Sequence, residues 1–310
     1  MIEPLLEGTR LRRYRAWKRG VRATAVNRWA TVGRVVREGS LRRLVDHDFQ
    51  PLFICGAAGS GTTLLSALLD QTYENGLALR ESARHPQAHR LLFLEKALEY
   101  PTLDEYIEDL FLPARVSAGR VRHAVLTLYR RAADYPKASA VVLDKAPNAH
   151  LVRLGALLAA FPEAQAIVLA RDPAEVVEGM RRKWPQPFGA AGLEALCDFW
   201  NLMHHKALQD TENLENVLVL GYGQLVQQPE TVTAAIATWA GLTARQQPKP
   251  LRDRKATPGK GLRNVVAGEI QVVADAGAAA RQNLNQAERQ LIRERTGAVY
   301  AQLHSREMTL

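Results

Sequence analysis

Between Phe49 and Leu69 the chain carries no charged residue, and that stretch limits its fold more than any other. It is long enough to cross a bilayer as a helix. Pro51, three glycines and the hydroxyls of Ser60, Thr62, Thr63 and Ser66 make it too broken and too polar for that. It divides into an apolar run from Pro51 to Cys55, a turn-forming run from Gly56 to Thr63, and Leu64, Leu65, Leu68 and Leu69 at helical spacing. The expectation is a buried strand, a glycine loop and a helix. Glycines let the backbone approach an anion, and the N-terminus of the helix presents unpaired N–H groups to it. Gly56, Gly59, Ser60, Gly61, Thr62 and Thr63 are therefore the candidate anion-binding residues.

The spacing nearly matches the nucleoside-triphosphate loop GxxxxGK[ST], with Thr62 at the lysine position. That lysine neutralises the β- and γ-phosphates during phosphoryl transfer, so its absence argues against a nucleotide hydrolase or kinase. A second block runs from residue 139 to 184. Ser139 to Asp144 reads as a buried strand, Ala149 to Phe161 as a helix stopped by Pro162, and Ala164 to Ala170 as a further strand. Arg171-Asp172-Pro173 opens another helix. Residues at the carboxyl ends of parallel strands face the ligand crevice of an open α/β sheet, which singles out Asp144-Lys145 and Arg171-Asp172. A further strand is expected from Gly76 to Leu79, and Asn285 to about Leu303 reads as a peripheral amphipathic helix.

Charge separates the chain into a basic arm and a nearly neutral body. The first 48 residues hold twelve Lys or Arg against five acids, +7 of the net +9. Within the arm, Leu11, Tyr14, Trp17, Val21, Ala25, Trp29, Val32 and Val36 recur at helical steps among arginines. Such a stripe suits its own domain, a second subunit, or an anionic membrane surface met by residues 10–43. No nucleic-acid motif accompanies it. The two cysteines, Cys55 and Cys197, cannot build a disulfide framework, and no leader-like segment opens the chain, so a reducing cytoplasm is the expected compartment. Adjacent His204 and His205 do not share a helix face, and no metal is expected.

Three runs carry a resemblance: FICGAAGSGTTLLSALL, LDKAPNAHLVRLGALLAAFPEAQAIVLARDP and LGYGQLVQQPETVTAAIATWAGL. In that order, over residues 51 to about 243, the chain resembles the bacterial sulfotransferases that use 3′-phosphoadenosine-5′-phosphosulfate. The resemblance implies an α/β three-layer sandwich with a central parallel sheet, akin to nucleoside-triphosphate-binding folds, over residues 49–245. A helical arm (1–48) precedes it, and a basic loop with a C-terminal helical extension (246–310) follows. It implies that the loop from Gly56 to Thr63 cradles the 5′-phosphosulfate and that Arg171 binds the 3′-phosphate. The strand from Val217 to Tyr222 completes the core, with the helix from Pro229 to Ala240 packed outside.

The family usually has a basic residue just before Ser-Gly-Thr-Thr, where this chain has Gly59. It often has a serine eight residues after the arginine of Arg-Asp-Pro, where this chain has Gly179. Sulfuryl transfer needs the leaving bridging oxygen neutralised, the equatorial oxygens held by donors, and the acceptor deprotonated. Lys145, at its strand end, is the remaining cation for the leaving group. Related sulfotransferases place an acid or a histidine where this chain has Glu81 and His85, the candidate bases, and Arg80 or Arg84 could replace the missing loop cation. Some close over the 3′-phosphate with a late basic glycine segment, which here would be Lys260 and Arg263. The acceptor, a small molecule, lipid or glycan, is not written in the sequence. Two other readings stay open: a phosphotransferase on the same loop, and a catalytically silent, membrane-associated scaffold.

Overall fold

The computed structural model describes residues 49–80, 100–111, 118–132, 140–247, 265–266, 269–270 and 282–309. The basic arm, the segment holding Glu81, Arg84 and His85, and the stretch holding Lys260 and Arg263 lie outside the described residues.

Among the described residues the main sheet has five strands: β1 (Phe49–Gly56), β2 (Gly76–Arg80), β3 (Ala140–Lys145), β4 (Gln165–Ala170) and β5 (Val217–Gly221). They pair in the order β2-β3-β1-β4-β5, every neighbouring pair parallel. A parallel sheet is covered on both faces, so its strands read as near-continuous apolar runs. Helices α1 (Thr62–Thr72), α2 (Leu103–Leu110), α3 (Ala118–Ala132), α4 (Ala149–Ala160), α5 (Pro173–Lys183), α6 (Leu193–Asp210), α7 (Tyr222–Gln227), α8 (Pro229–Ala240) and α9 (Gln286–His304) supply the cover.

Alternation along each strand sorts the core into two layers. Phe53, Val142, Val168 and Val219 join Val125 of α3, Leu154 of α4, Val177 of α5, Trp200 of α6 and Ile292 of α9. Leu52, Ile54, Leu143, Leu169 and Leu220 join Leu65 of α1, Leu225 of α7 and Ile236 of α8 on the opposite face. The result is the expected three-layer sandwich.

The chain builds β1, β2 and β3 on one side, then crosses back through α4 to β4 and β5 on the other. The direction of winding therefore reverses at β1, and the crevice at such a reversal is where open α/β sheets bind ligands. The glycine loop leaves β1 at that point. Strand β3 runs one residue further than the apolar pattern suggests, which brings Lys145 into the ladder opposite Ile54 and Arg80. Asp172 caps α5 by accepting from Ala174 N at 2.8 Å, with Pro173 in the first turn. Short strands β6 (Val265–Val266) and β7 (Glu269–Ile270) pair antiparallel in the stretch expected to be a basic loop.

One expectation is corrected. Helix α9 is not peripheral: Ile292, Thr296 and Leu303 are buried, and its N-terminal turn is tied to α5 by Arg181 and Glu288 at 2.8 Å. Its amphipathic signal is weak because the buried stripe is narrow and includes a threonine, whose hydroxyl donates to the Ile292 carbonyl at 2.7 Å. Beyond α9 the chain becomes a strap along β5: Met308 N donates to Val219 O at 2.9 Å and Gln224 Nε2 donates to Met308 O at 3.0 Å. Truncating the fully buried Leu303 to alanine should lower stability by about 2–4 kcal/mol, as for a core leucine. Urea unfolding checks this, since a decorative helix would lose only a few tenths.

Candidate functional site

The loop from Gly56 to Thr63 is shaped by close approaches that only glycine permits. A methyl group on Gly56 would come within 2.3 Å of Ser60 Oγ and 3.1 Å of the Leu169 carbonyl. Gly61 has φ +103°, and a methyl group there would sit 2.6 Å from the Tyr222 ring. Ser60 N donates to Ala57 O at 3.0 Å to close the turn, and Leu65 N donates to Gly61 O at 3.1 Å to begin α1.

The N-terminus of α1 has neither a side-chain cap nor an acidic residue in its first turn. The first N–H groups of a helix have no partner within it, and the helix dipole adds positive potential there. Ser60 Oγ is buried and has no hydrogen-bond partner. An orphaned hydroxyl beside an uncapped helix start fits an anion. Thr62 is buried, with its methyl 3.1 Å from where a side chain on Gly56 would begin, whereas Thr63 is exposed.

A cation reaches the loop from the neighbouring strand β3. Lys145 is only 7% exposed and its Nζ donates to Thr63 Oγ1 at 3.1 Å. On the other side, Arg171 leaves the carboxyl end of β4 and donates from Nη1 to Gly59 O at 2.8 Å and from Nε to Glu175 at 2.6 Å. Its guanidinium lies 4.0 Å from the centre of the Tyr222 ring. The structure thus gathers Gly56, Gly59, Ser60, Gly61, Thr62, Thr63, Lys145 and Arg171 at one corner of the sheet.

The two departures also have a structural setting. A side chain at Gly59 would begin in open space, with no atom within 4 Å, and one at Gly179 would begin 3.9 Å from Lys183 Nζ. Glu175, Gly179 and Lys183 follow Arg171 at four-residue steps, so they share one helix face.

Behind Lys145, Asp144 turns to the other layer. Its Oδ2 accepts from Tyr129 Oη at 2.8 Å and its Oδ1 lies 3.1 Å from His150 Nε2, all three side chains buried. Burial, then the Asp144 charge, pushes the Tyr129 hydroxyl well above its ordinary value and raises the Cys55 thiol as well. Burial raises Cys197 to about 11 and lowers His204 to about 4. His204 is thus neutral, with Nδ1 donating to Trp200 O at 2.8 Å. Among the described residues no group of three or more His, Cys, Asp or Glu could hold a metal ion, and no helix is long and apolar enough to cross a membrane.

Sequence reasoning missed Asn148 and Tyr222. Tyr222 could have been found, because it follows directly from the carboxyl end of β5. Asn148 reads as an ordinary helix cap and gives no other signal. Tyr106 of α2, whose hydroxyl accepts from Asn148 Nδ2 at 3.2 Å, has no sequence signal either.

With this geometry established, comparison with known proteins is informative. A sequence profile of the sulfotransferase family matches residues 51–246. The sulfotransferase domain of the Synechococcus PCC 7002 olefin synthase is 18% identical with a TM-score of 0.52, over 86% of this chain and 98% of that one. Sulfotransferase STF9 from Mycobacterium avium is 19% identical with a TM-score of 0.49, over 86% and 79%. A sulfotransferase from Alicyclobacillus acidocaldarius is 16% identical with a TM-score of 0.49, over 84% and 95%. No curated protein matches.

Replacing Gly61 with alanine imposes a left-handed conformation on a side chain that also collides with Tyr222. It should destabilise the protein by about 1–3 kcal/mol, read as a lower urea midpoint, with Gly223→Ala, where a side chain meets open space, as the control.

Proposed function

Given that the chain belongs to the sulfotransferase family, we propose that it moves a sulfuryl group from 3′-phosphoadenosine-5′-phosphosulfate to a hydroxyl or amine of an acceptor. The observation that carries this reading is the uncapped, acid-free start of α1, with the partnerless Ser60 hydroxyl below it and the Lys145 ammonium beside it. Such a site suits a donor whose transferred group is an anion and whose leaving group gains negative charge.

The sulfur–oxygen bond to the 5′-phosphate breaks as the acceptor oxygen or nitrogen attacks sulfur. Charge then accumulates on the bridging oxygen. Lys145, already oriented by Thr63, neutralises that oxygen, and the N–H groups at the start of α1 hold the non-bridging oxygens. None of these groups must reorganise at the moment of reaction, which is where preorganised dipoles help most. Arg171 takes the 3′-phosphate. It remains anchored to Gly59 O, so the arginine links the two phosphate positions through the loop. Glu81, or else His85, takes the acceptor's proton; both lie outside the described residues, on the segment that follows β2. Thr62, standing where a phosphotransferase needs a lysine, speaks against that reading.

Calorimetric titration with adenosine 3′,5′-bisphosphate tests the donor site, with ATP and Mg²⁺ as the control. The expected result is micromolar binding of the bisphosphate, weakened about tenfold or more in Arg171→Ala, as for loss of a charge-assisted hydrogen bond. Lys145→Ala should slow sulfuryl transfer about a hundredfold or more, the scale of a lost transition-state donor. Binding of ATP with Mg²⁺ in preference to the bisphosphate would overturn the reading.

A further inference from the structure

Asn148 holds a backbone conformation that side chains avoid, with φ +60° and ψ −56°. Such a region is strained for a residue with a side chain, so its surroundings must hold it there. Three hydrogen bonds do so. Its own N–H donates to Gly56 O at 2.9 Å, its Oδ1 accepts from Ala58 N at 2.8 Å, and its Nδ2 donates to Tyr106 Oη at 3.2 Å. The residue is 3% exposed, so little water competes for these bonds.

Its position in sequence calls for a different task. Asn148 stands at the N-cap of α4, where an asparagine oxygen ordinarily accepts from an N–H of its own helix. It makes no such bond. The side chain serves the glycine loop instead of the helix it precedes. The amide orientation is unambiguous, because Ala58 N–H can only donate and so must face Oδ1.

Two of these bonds grip the first turn of the loop at Gly56 and Ala58, and the Ser60–Ala57 bond closes the turn between them. The Ala58 N–H is thereby turned toward Asn148 and away from any anion. The Ser60 hydroxyl and the first N–H groups of α1 remain for the anion. A loop fixed before its ligand arrives avoids the entropy of ordering it afterwards.

We propose that Asn148 is a positioning residue that sets the loop in the shape required by the 5′-terminal anion of the donor. This rests on the sulfotransferase reading above. Asn148 acts through Ala58 and touches no substrate, so its removal should affect the 5′-anion selectively and leave the nucleoside and the 3′-phosphate alone.

The test titrates the full-length chain, Asn148→Gly and Asn148→Asp with adenosine 3′,5′-bisphosphate and with adenosine 3′-monophosphate, which lacks the 5′-anion. Glycine adopts φ +60° without strain, so the backbone is kept while the Ala58 bond is lost. Aspartate has the same shape and keeps an acceptor toward Ala58, so it should keep the loop in place. In Asn148→Gly the 3′-monophosphate affinity should stay within about twofold of the wild type while the preference for the bisphosphate falls about tenfold, and Asn148→Asp should keep most of that preference. An equal loss for both nucleotides in Asn148→Gly would indicate a merely structural role and overturn the assignment, as would an unchanged preference in the folded glycine variant or a loss in the aspartate variant as large as in the glycine one. If the wild-type chain showed no preference for the bisphosphate, the donor reading itself would fail and take the assignment with it, a result distinct from failure of Asn148 alone.

Discussion

After β1 the backbone comes close to its own next turn and to the end of β4. Gly56 has the Ser60 hydroxyl, the Thr62 methyl and the Leu169 carbonyl where a side chain would be. Because glycine leaves that space to them, the loop can fold tightly enough for α1 to begin directly at the sheet edge. The helix start, Lys145 and Arg171 then reach the same corner. A methyl group at Gly56 would force the Ser60 hydroxyl aside and crowd the Leu169 carbonyl. The glycine is therefore the geometric condition for the site, though it contributes no chemistry.

Charge in this corner is assembled from separate strands. Lys145 comes from β3 and Arg171 from β4, while the loop between them carries no charged residue. Each cation has a local partner that aims it: Thr63 for the lysine, Gly59 O and the Tyr222 ring for the arginine. Arg171 also pairs with Glu175 across one helical turn. The Arg171 guanidinium is thus already oriented by the loop and by an aromatic face, so an anion binding it would cost little side-chain freedom.

Much of this was legible in the sequence, for local reasons. The apolar run before the glycines, the Asp-Pro opening of α5 and the Pro229–Ala240 helix are written in neighbouring residues; both helices begin where expected, and the strand runs from Phe49 to Gly56, two residues earlier and one later than the apolar run. Lys145 and Arg171 were legible because parallel strands point their carboxyl ends at a common crevice. What remained hidden depends on distant partners. Asn148 looks like a cap because its true partners, Ala58 and Tyr106, are remote in sequence. The burial of α9 was masked by a stripe of few apolar residues. The exposed position of Thr63 beside the buried Thr62 follows from helix phase, which two identical neighbours cannot reveal.

The strap along β5 has a consequence for folding. A parallel sheet leaves the outer rim of its last strand with unpaired backbone groups, and here residues after α9 cover that rim through Met308 and Glu307. Every strand pairing already spans a long crossover, and the strap must return from furthest of all, so it is expected to dock late. Until then a partly folded chain displays an apolar strand rim open to a second molecule. Refolding yield should therefore fall with protein concentration more steeply when the strap is cut away than when it is present. By covering that rim the residues after α9 would guard a partly folded chain against self-association, a role separate from any chemistry at the sheet's carboxyl edge.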